Sequence, residues 1–271
     1  MTGNLRSGLW VKLWLWIIVL VVGCGGQTGE AANPFSLENI ELCGSNIIND
    51  LPDTFFSDVN ATFSRRDNLA ALLIAGGASI PVHNSDADRN IYENMQRHRG
   101  FNHFSDTTFD YAGNPGTHFA ATGIWYLFSI ADEDELNTQR AWTMLSALSI
   151  TGSVTLGLKI IVDNETPNGK PWAWPSGHTA SSFTVASVLD EFYGPKVGIP
   201  AYVLASVVAW RMMDSGDHWA SDVIFGGTLG WVVGHTVAGK HKQLEIAGFQ
   251  VVPCLTTAYY PAVGLTLVKQ F

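Results

Sequence analysis

The feature that most constrains this chain is a succession of apolar stretches that contain almost no charged residues. Stretches of this length and composition are typical of helices that pack on one another, so the sequence predicts a mainly α fold. Pro81 directly follows the first stretch and is expected to end its helix, because proline lacks the N–H that continues the hydrogen bonding. The apolar stretches cover residues 69–80, 117–131, 140–162, 179–193, 199–213 and 220–239.

The last three stretches can be compared with membrane spans, which need about 20 mostly apolar residues. The uncharged part 197–210 is short, Asp190 and Glu191 end the fourth stretch, and the sixth contains His235. Hydrophobic residues make up 46% of the chain and charged residues 14%, which fits either a tightly packed helical interior or contact with a membrane. The favoured interpretation is a helical domain over residues 63–242 whose helices pack on one another.

The N-terminus carries a targeting signal. Arg6 and Lys12 are followed by an uncharged run, residues 13–22, which is too short for a comfortable membrane span and fits the apolar core of a signal peptide. The run ends in Val-Val-Gly-Cys, which resembles the bacterial lipobox, and its cysteine is Cys24. In a lipobox the cysteine is acylated and becomes the first mature residue.

This signal predicts the position of the protein in the cell. Residues 1–23 are expected to be a signal peptide and residues 24–62 a lipid-anchored tether and lead-in. The mature protein would then lie in the bacterial cell envelope, held to the membrane by its lipid and facing the periplasm or the exterior. The alternative is an uncleaved N-terminal membrane anchor.

The C-terminal residues differ in composition from the helical region. Residues 244–252 and 259–271 are rich in Val, Thr, Tyr and Phe with partial alternation, which predicts a β-hairpin over 243–271. Apart from the lipobox cysteine, the chain holds Cys43 and Cys254, which lie near the two ends of the mature protein. An oxidising compartment would allow them to pair, and the sequence leaves open whether they do.

Residues 159–222 hold the candidate chemistry. Ser176, Gly177 and His178 stand directly before the predicted helix over 179–193. Free N–H groups at a helix N-terminus bind anions, and glycine lets the backbone approach a ligand closely. The serine adds a hydroxyl donor and the histidine adds a titratable group at the same rim.

His218 and Asp222 are four residues apart, so on a helix they share one face. A carboxylate that bonds one ring nitrogen leaves the other nitrogen with a free lone pair that can attack phosphorus. A pair at this spacing can also be a structural helix contact, and Ser, His and Asp together are also the residues of serine hydrolases. Two histidines beside an anion site suit phosphoryl transfer better, since one can bond to phosphorus while His178 protonates the leaving oxygen.

Three cations accompany these histidines. Lys159 and Arg211 stand at the polar ends of apolar stretches, and Lys170 lies between the motifs. Such residues usually favour the helix dipole, but beside an anion site they become candidates for holding a phosphoryl group. The formal net charge of −9 makes a nucleic-acid partner unsuitable, so a phosphate site here must be a local cationic island.

This part of the chain resembles the signature of the type 2 phosphatidic acid phosphatase superfamily, which includes bacterial acid phosphatases and vanadium haloperoxidases. That signature has three blocks, Lys-x6-Arg-Pro, Pro-Ser-Gly-His and Ser-Arg-x5-His-x3-Asp. The second block is complete at 175–178, and the third supplies His218 and Asp222. The first block supplies Lys159 and Pro167.

Two departures from the signature concern its arginines. Thr166 takes the place of the first-block arginine, and Arg211 stands seven residues before His218 instead of six. Trp210 replaces the serine of the third block. An extra residue in the loop before the histidine could still let the arginine reach the phosphate, and Lys170 could supply some of the lost charge.

The resemblance implies a helical bundle of the phosphatidic acid phosphatase type that acts as a metal-independent phosphatase on phosphate monoesters, with lipid phosphates or pyrophosphates as candidate substrates. His218, oriented by Asp222, would attack phosphorus to give a phosphohistidine, and His178 would protonate the leaving oxygen. The residues implied to hold the phosphate are Lys159, Ser176, Gly177 and Arg211, with Lys170 as a further candidate.

The resemblance implies no metal and no other cofactor, although phosphate or vanadate could occupy the site. The expected partners are a phosphate ester and, through the lipid anchor, a membrane. Two alternatives stay open. One is a degenerate lipoprotein that binds phosphate without cleaving it, and the other is a vanadate-dependent enzyme similar to the haloperoxidases.

Overall fold

The described part of the protein consists of a helical region followed by short strands. A computed structural model describes residues 35–38, 40–41, 51–242, 244–246, 249–256 and 262–268. The predicted signal peptide, Cys24 and Cys43 lie outside the described residues, as does the side chain of Cys254. The lipid anchor on Cys24 therefore stays a prediction, and the structure does not address whether Cys43 and Cys254 form a disulfide.

Nine helices make up the helical region within residues 51–242, and they fall close to the predicted stretches. Their bounds are α1 Leu51–Phe63, α2 Arg66–Asn84, α3 Asp86–Arg97, α4 His103–Gly113, α5 Pro115–Ala131, α6 Glu135–Val162, α7 Gly177–Tyr193, α8 Pro195–Asp214 and α9 Ala220–His241.

The prediction that Pro81 ends its helix is wrong. Pro81 lies inside α2, which continues for one more turn. A proline removes one hydrogen bond of the helix, and the next turn can still form its own bonds. The helix ends at Ser85, whose N–H donates to the Pro81 carbonyl and whose hydroxyl accepts from the Ala87 N–H at 3.2 Å. Ser85 thus closes α2 and caps α3.

The helices α7 and α9 form the centre of the bundle. Gly226, Gly230 and Gly234 are spaced four residues apart, so they line one face of α9. A Cβ atom at Gly226 would lie 2.6 Å from the Ser176 carbonyl oxygen, and one at Gly234 would lie 2.7 Å from the Thr184 carbonyl oxygen. The absence of side chains therefore lets the two backbones touch, and this contact brings the start of α7 against the start of α9.

Several helices expose large apolar side chains on their outer faces. Leu73 and Ile74 of α2 are 73% and 72% exposed, and Ile161 of α6 is 79% exposed. Among the described residues, α6 alone is long and apolar enough to cross a membrane. The expectation that the apolar stretches bury themselves against one another holds for their inner faces and is wrong for these outer positions.

The described C-terminal residues run as three antiparallel strands in the order β1-β2-β3. The bounds are β1 Leu244–Ile246, β2 Phe249–Thr256 and β3 Ala262–Val268. Their register places Leu244 opposite Val251 and Cys254 opposite Gly264.

Candidate active site

The start of α7 is organised by Ser176, which is fully buried. Its hydroxyl oxygen accepts hydrogen bonds from the backbone N–H and the hydroxyl of Thr179, at 3.4 and 3.0 Å, and so caps the helix. Its own N–H donates to the Asp222 carbonyl at 3.1 Å. The structure thus places Ser176 in the helix cap, while Gly177 is the first residue of α7 and carries no side chain over the helix N-terminus.

His218 and Asp222 form the pair that the spacing predicts. Nδ1 of His218 lies 3.3 Å from Oδ2 of Asp222, and the same oxygen accepts the Trp219 N–H at 2.9 Å. Asp222 is fully buried and His218 is 8% exposed. Burial lowers the pKa of His218, and the bond to Asp222 opposes that shift. The ring is therefore held neutral, with Nδ1–H on the carboxylate and a lone pair on Nε2.

His178 lies in the same site. Burial is the largest cause that lowers the pKa of His178 to about 3, and the electrostatic interactions with His218 and Arg211 act in the same direction. Its Nε2 atom is buried and lies 3.6 Å from Oδ1 of Asp110. The structure thus brings the two predicted histidines into electrostatic contact at the start of α7.

Lys159 lies in the last turn of α6, where its charge acts on His218 and Asp222. Its Nζ atom donates to the carbonyls of Trp172 and Ala173, the latter at 3.2 Å. Burial lowers the pKa of Lys159 to about 8, and the charge of Asp222 opposes that shift. The charge of Lys159 in turn lowers the pKa of His218. Lys159 therefore contributes positive charge at the place where the resemblance implies a phosphate.

Arg211 is surrounded by carboxylates. Its Nε and Nη2 atoms donate to the two oxygens of Asp106, at 2.9 and 3.3 Å. Its Nη1 atom donates to Asp110 at 2.8 Å and to Asp217 at 2.9 Å. The arginine is 6% exposed, so these ion pairs are largely shielded from water. Arg211 does lie near His178, as the extra loop residue allows, but its guanidinium is already paired with three carboxylates.

The other departures from the signature also have a structural explanation. Thr166 closes a turn, since its N–H donates to the Lys170 carbonyl at 2.8 Å and its hydroxyl accepts the Lys170 N–H at 3.0 Å. Its short side chain cannot replace a guanidinium. Lys170 pairs with Asp217 at 2.8 Å, so Asp217 bridges Lys170 and Arg211 with its two oxygens. Asp217 thus adds an anion to the cationic island.

The sequence-based analysis missed the helix that supplies two of these carboxylates. Asp106 and Asp110 lie one turn apart on α4, in a segment with little apolar periodicity. The sequence signal that could have predicted α4 is the capping box formed by Asn102 and Ser105 at its N-terminus. The Asn102 side chain accepts the Ser105 N–H at 2.9 Å, and the Ser105 hydroxyl accepts the Asn102 N–H at 3.0 Å.

Asp88 of α3 was also missed, and it holds the start of α9 in place. It is 3% exposed and accepts hydrogen bonds from the N–H and the hydroxyl of Ser221, at 3.1 and 2.6 Å. The N–H groups in the first turn of a helix have no partner within the helix, so a carboxylate from a neighbouring helix satisfies one of them. Asp88 thereby fixes the turn that carries the His218–Asp222 pair.

Asp88→Ala is expected to lower the free energy of unfolding by about 1–3 kcal/mol, because it leaves buried donors of Ser221 without an acceptor. Chemical denaturation measures the change. Asp86→Ala, at an exposed position in the same helical turn, is the control and should stay within about 0.5 kcal/mol of the parent protein. Equal effects of the two substitutions would show that Asp88 does not anchor α9.

Most of the residues of this site fall in a segment that matches a known protein family. Residues 140–244 match the PAP2 superfamily. The PAP2 segment contains all three signature blocks, from Lys159 to Asp222. Lipid A 1-phosphatase of Porphyromonas gingivalis is 37% identical to this chain over 65 residues, which is 23% of this chain. The match spans 15% of the length of that relative.

Two solved structures are similar to this chain. The transmembrane PAP2 type phosphatidylglycerolphosphate phosphatase from Bacillus subtilis has a TM-score of 0.53 at 19% identity, covering 62% of this chain and 91% of its own. LpxE of Aquifex aeolicus has a TM-score of 0.47 at 18% identity, covering 55% and 92%. The Bacillus likeness supports the predicted helical fold and lends no support to the predicted C-terminal hairpin.

Proposed function

We propose that this protein is a phosphatase that hydrolyses phosphate monoesters, lipid phosphates among them, through a phosphohistidine on His218. The observation that carries the proposal is the arrangement of His218 on Asp222, with His178 in electrostatic contact, at the start of α7. The PAP2 match over the same residues supports it.

In the first half-reaction, Nε2 of His218 forms a bond to phosphorus as the bond between phosphorus and the leaving oxygen breaks. Asp222 stabilises the positive charge that develops on the ring. The leaving oxygen takes a proton from His178. The pKa of His178 is low without substrate, and the negative charge of a bound phosphate raises it, so the ring can carry the proton it must give.

In the second half-reaction, a water oxygen bonds to phosphorus as the bond between nitrogen and phosphorus breaks. The proton of that water passes to His178, which restores the acid, and His218 is released as a neutral ring. Lys159 and the first N–H groups of α7 would stabilise the charge on the phosphoryl oxygens during both steps.

A lipid substrate is supported by two observations. The matched relative from Porphyromonas gingivalis is named a lipid A 1-phosphatase. Large apolar side chains are exposed near Lys159, since Ile160 and Ile161 of the same turn are 59% and 79% exposed. A phosphate held at Lys159 would therefore lie beside a surface suited to acyl chains. We also propose that Cys24 is acylated and holds the protein on the bacterial envelope.

The proposed activity can be tested with a substrate panel. The full chain is expected to release phosphate from p-nitrophenyl phosphate and from a long-chain phosphatidate in detergent, and to do so in excess chelator, because Lys159 and the helix start supply positive charge. Faster turnover of the phosphatidate would support the lipid class. Loss of all activity in chelator, restored by added divalent metal, would contradict the scheme.

One observation favours a second function. Thr166 carries no charge and Arg211 is paired with three carboxylates, so the site holds less free positive charge than the resemblance implies. Such a site could bind phosphate without cleaving it. Saturable phosphate binding with no turnover of any substrate in the panel would establish that alternative.

A further inference from the structure

A single carboxylate oxygen contacts both Arg211 and His178. Oδ1 of Asp110 lies 2.8 Å from Nη1 of Arg211 and 3.6 Å from Nε2 of His178. The Nε2 atom is buried and forms no hydrogen bond within the part of the chain that the structure describes. This oxygen therefore stands between a guanidinium and the imidazole that protonates the leaving group in the proposed function.

The three carboxylates around Arg211 are not equivalent. Asp106 binds the Nε side of the guanidinium with both oxygens and fixes its orientation. Asp217 is shared with Lys170 and the hydroxyl of Ser215. Asp110 has the most exposed side chain of the three, at 40% against 28% and 24%, so water can take over its solvation most easily when it moves.

We propose that Asp110 occupies the position of a phosphate oxygen between Arg211 and His178 in the substrate-free protein, and that a bound phosphate displaces it. This inference rests on the proposed function, because it concerns the same site. A phosphate carries more negative charge than one carboxylate and has several oxygens, so it can bind Arg211 and Lys159 together. Asp110 thus sets the affinity of the site for phosphate esters.

The electrostatics of the pocket support this competition. The groups that face Asp110 are Asp106 on its own helix, Arg211, His178, Asp217 and Lys170. Burial raises the pKa of Asp110, the charges of Asp217 and Asp106 raise it further, and Arg211 and Lys170 oppose the shift. Asp110 consequently loses its charge at a higher pH than an ordinary aspartate.

The test compares binding of inorganic phosphate to the full chain by isothermal titration calorimetry at pH 7. Asp110→Asn is expected to bind phosphate about tenfold more tightly than the parent protein, because it removes a negative charge that competes for Arg211. Asp132→Asn is the charge-matched control, since it removes one carboxylate from an exposed position beside the start of α6, at the opposite end of that helix from Lys159. It is expected to leave the affinity within about threefold of the parent value.

The pH dependence gives a second arm. The tighter phosphate binding of Asp110→Asn relative to the parent protein should be present above the pKa of Asp110. It should vanish below that pKa, where the parent carboxyl is neutral as well. Taking the ratio of the two proteins at each pH cancels the ionisation of phosphate itself. A crystal structure of the parent protein with phosphate gives a readout without any variant, since a phosphate oxygen should replace Oδ1 of Asp110 beside Arg211.

Unchanged or weaker binding by a folded Asp110→Asn protein would overturn the inference, as would an equal gain in Asp132→Asn or a bound phosphate with Asp110 unmoved. These outcomes differ from a failure of the proposed function. If the parent protein cleaves p-nitrophenyl phosphate and Asp110→Asn shows no gain in affinity, the displacement is wrong and the phosphatase stands. If the parent protein neither binds phosphate nor cleaves any ester, the proposed function itself is wrong.

Discussion

His218→Ala is expected to abolish phosphate release from every ester that the parent protein cleaves, a loss of about 10⁴-fold or more, because it removes the proposed nucleophile. Asp222→Asn should lower turnover less, by about 10²–10⁴-fold, since the nucleophile remains and loses only its orientation and charge stabilisation. Phosphate release under saturating substrate measures both effects. After the reaction is quenched in acid, the parent protein should carry covalently bound phosphate and the His218→Ala variant should carry none.

His235→Ala is the matched control for the nucleophile. It lies on α9, about 20 Å beyond Asp222 along the helix axis, and pairs with Glu191 at 2.5 Å. It should retain full activity. Persistent turnover in the His218 variant, with the melting temperature of the parent, would remove His218 from the mechanism.

Gly230→Ala is expected to destabilise the protein by about 1–3 kcal/mol, although alanine is a better helix former than glycine. A Cβ atom at this position would overlap the Ala180 carbonyl oxygen of α7 and come 2.9 Å from the Thr184 nitrogen. Backbone atoms cannot rotate away as side chains do, so α7 and α9 must separate. Because α7 carries His178 and the first turn of α9 carries Asp222, which pairs with His218, activity should fall together with the free energy of unfolding.

The same substitution elsewhere on α9 should have the opposite sign. Gly239 has no atom within 4 Å of an added Cβ, so Gly239→Ala should stabilise the protein by about 0.5–1 kcal/mol through helix propensity alone. Denaturant unfolding of both variants measures the difference. Equal effects at the two positions would show that α7 and α9 do not touch through backbone at Gly230.

The local parts of the site could be predicted from the sequence because they depend on short spacings. His218 stands just before α9 and Asp222 lies in its first turn, so a separation of four residues is enough to bring them together, and the residues before Thr179 cap a helix whatever surrounds it. The same logic located most of the helices. It failed at Pro81, where the turn after a proline continued, and at α4, whose apolar residues show too little periodicity to predict a helix.

The surroundings of the cations could not be predicted in this way. Arg211 is paired with Asp106 and Asp110, which precede it by about a hundred residues, and no local pattern links them. Local patterns assign this arginine to phosphate. They cannot show the carboxylates that compete for it, because those carboxylates lie on a different helix. The helix cap of Ser176 is a related case, since its hydroxyl oxygen accepts hydrogen bonds from Thr179, and its role toward phosphate stays a prediction.

The sequence by itself determined the helical class, the order of the motifs and the pairing of His218 with Asp222, because backbone geometry over a few residues decides all of these. Only the tertiary structure decided which charges meet in the site. The glycine face of α9 brings the two histidines together, and α4 places its carboxylates on Arg211. Electrostatic contacts depend on distances in space between residues far apart in the chain, and packing alone sets those distances.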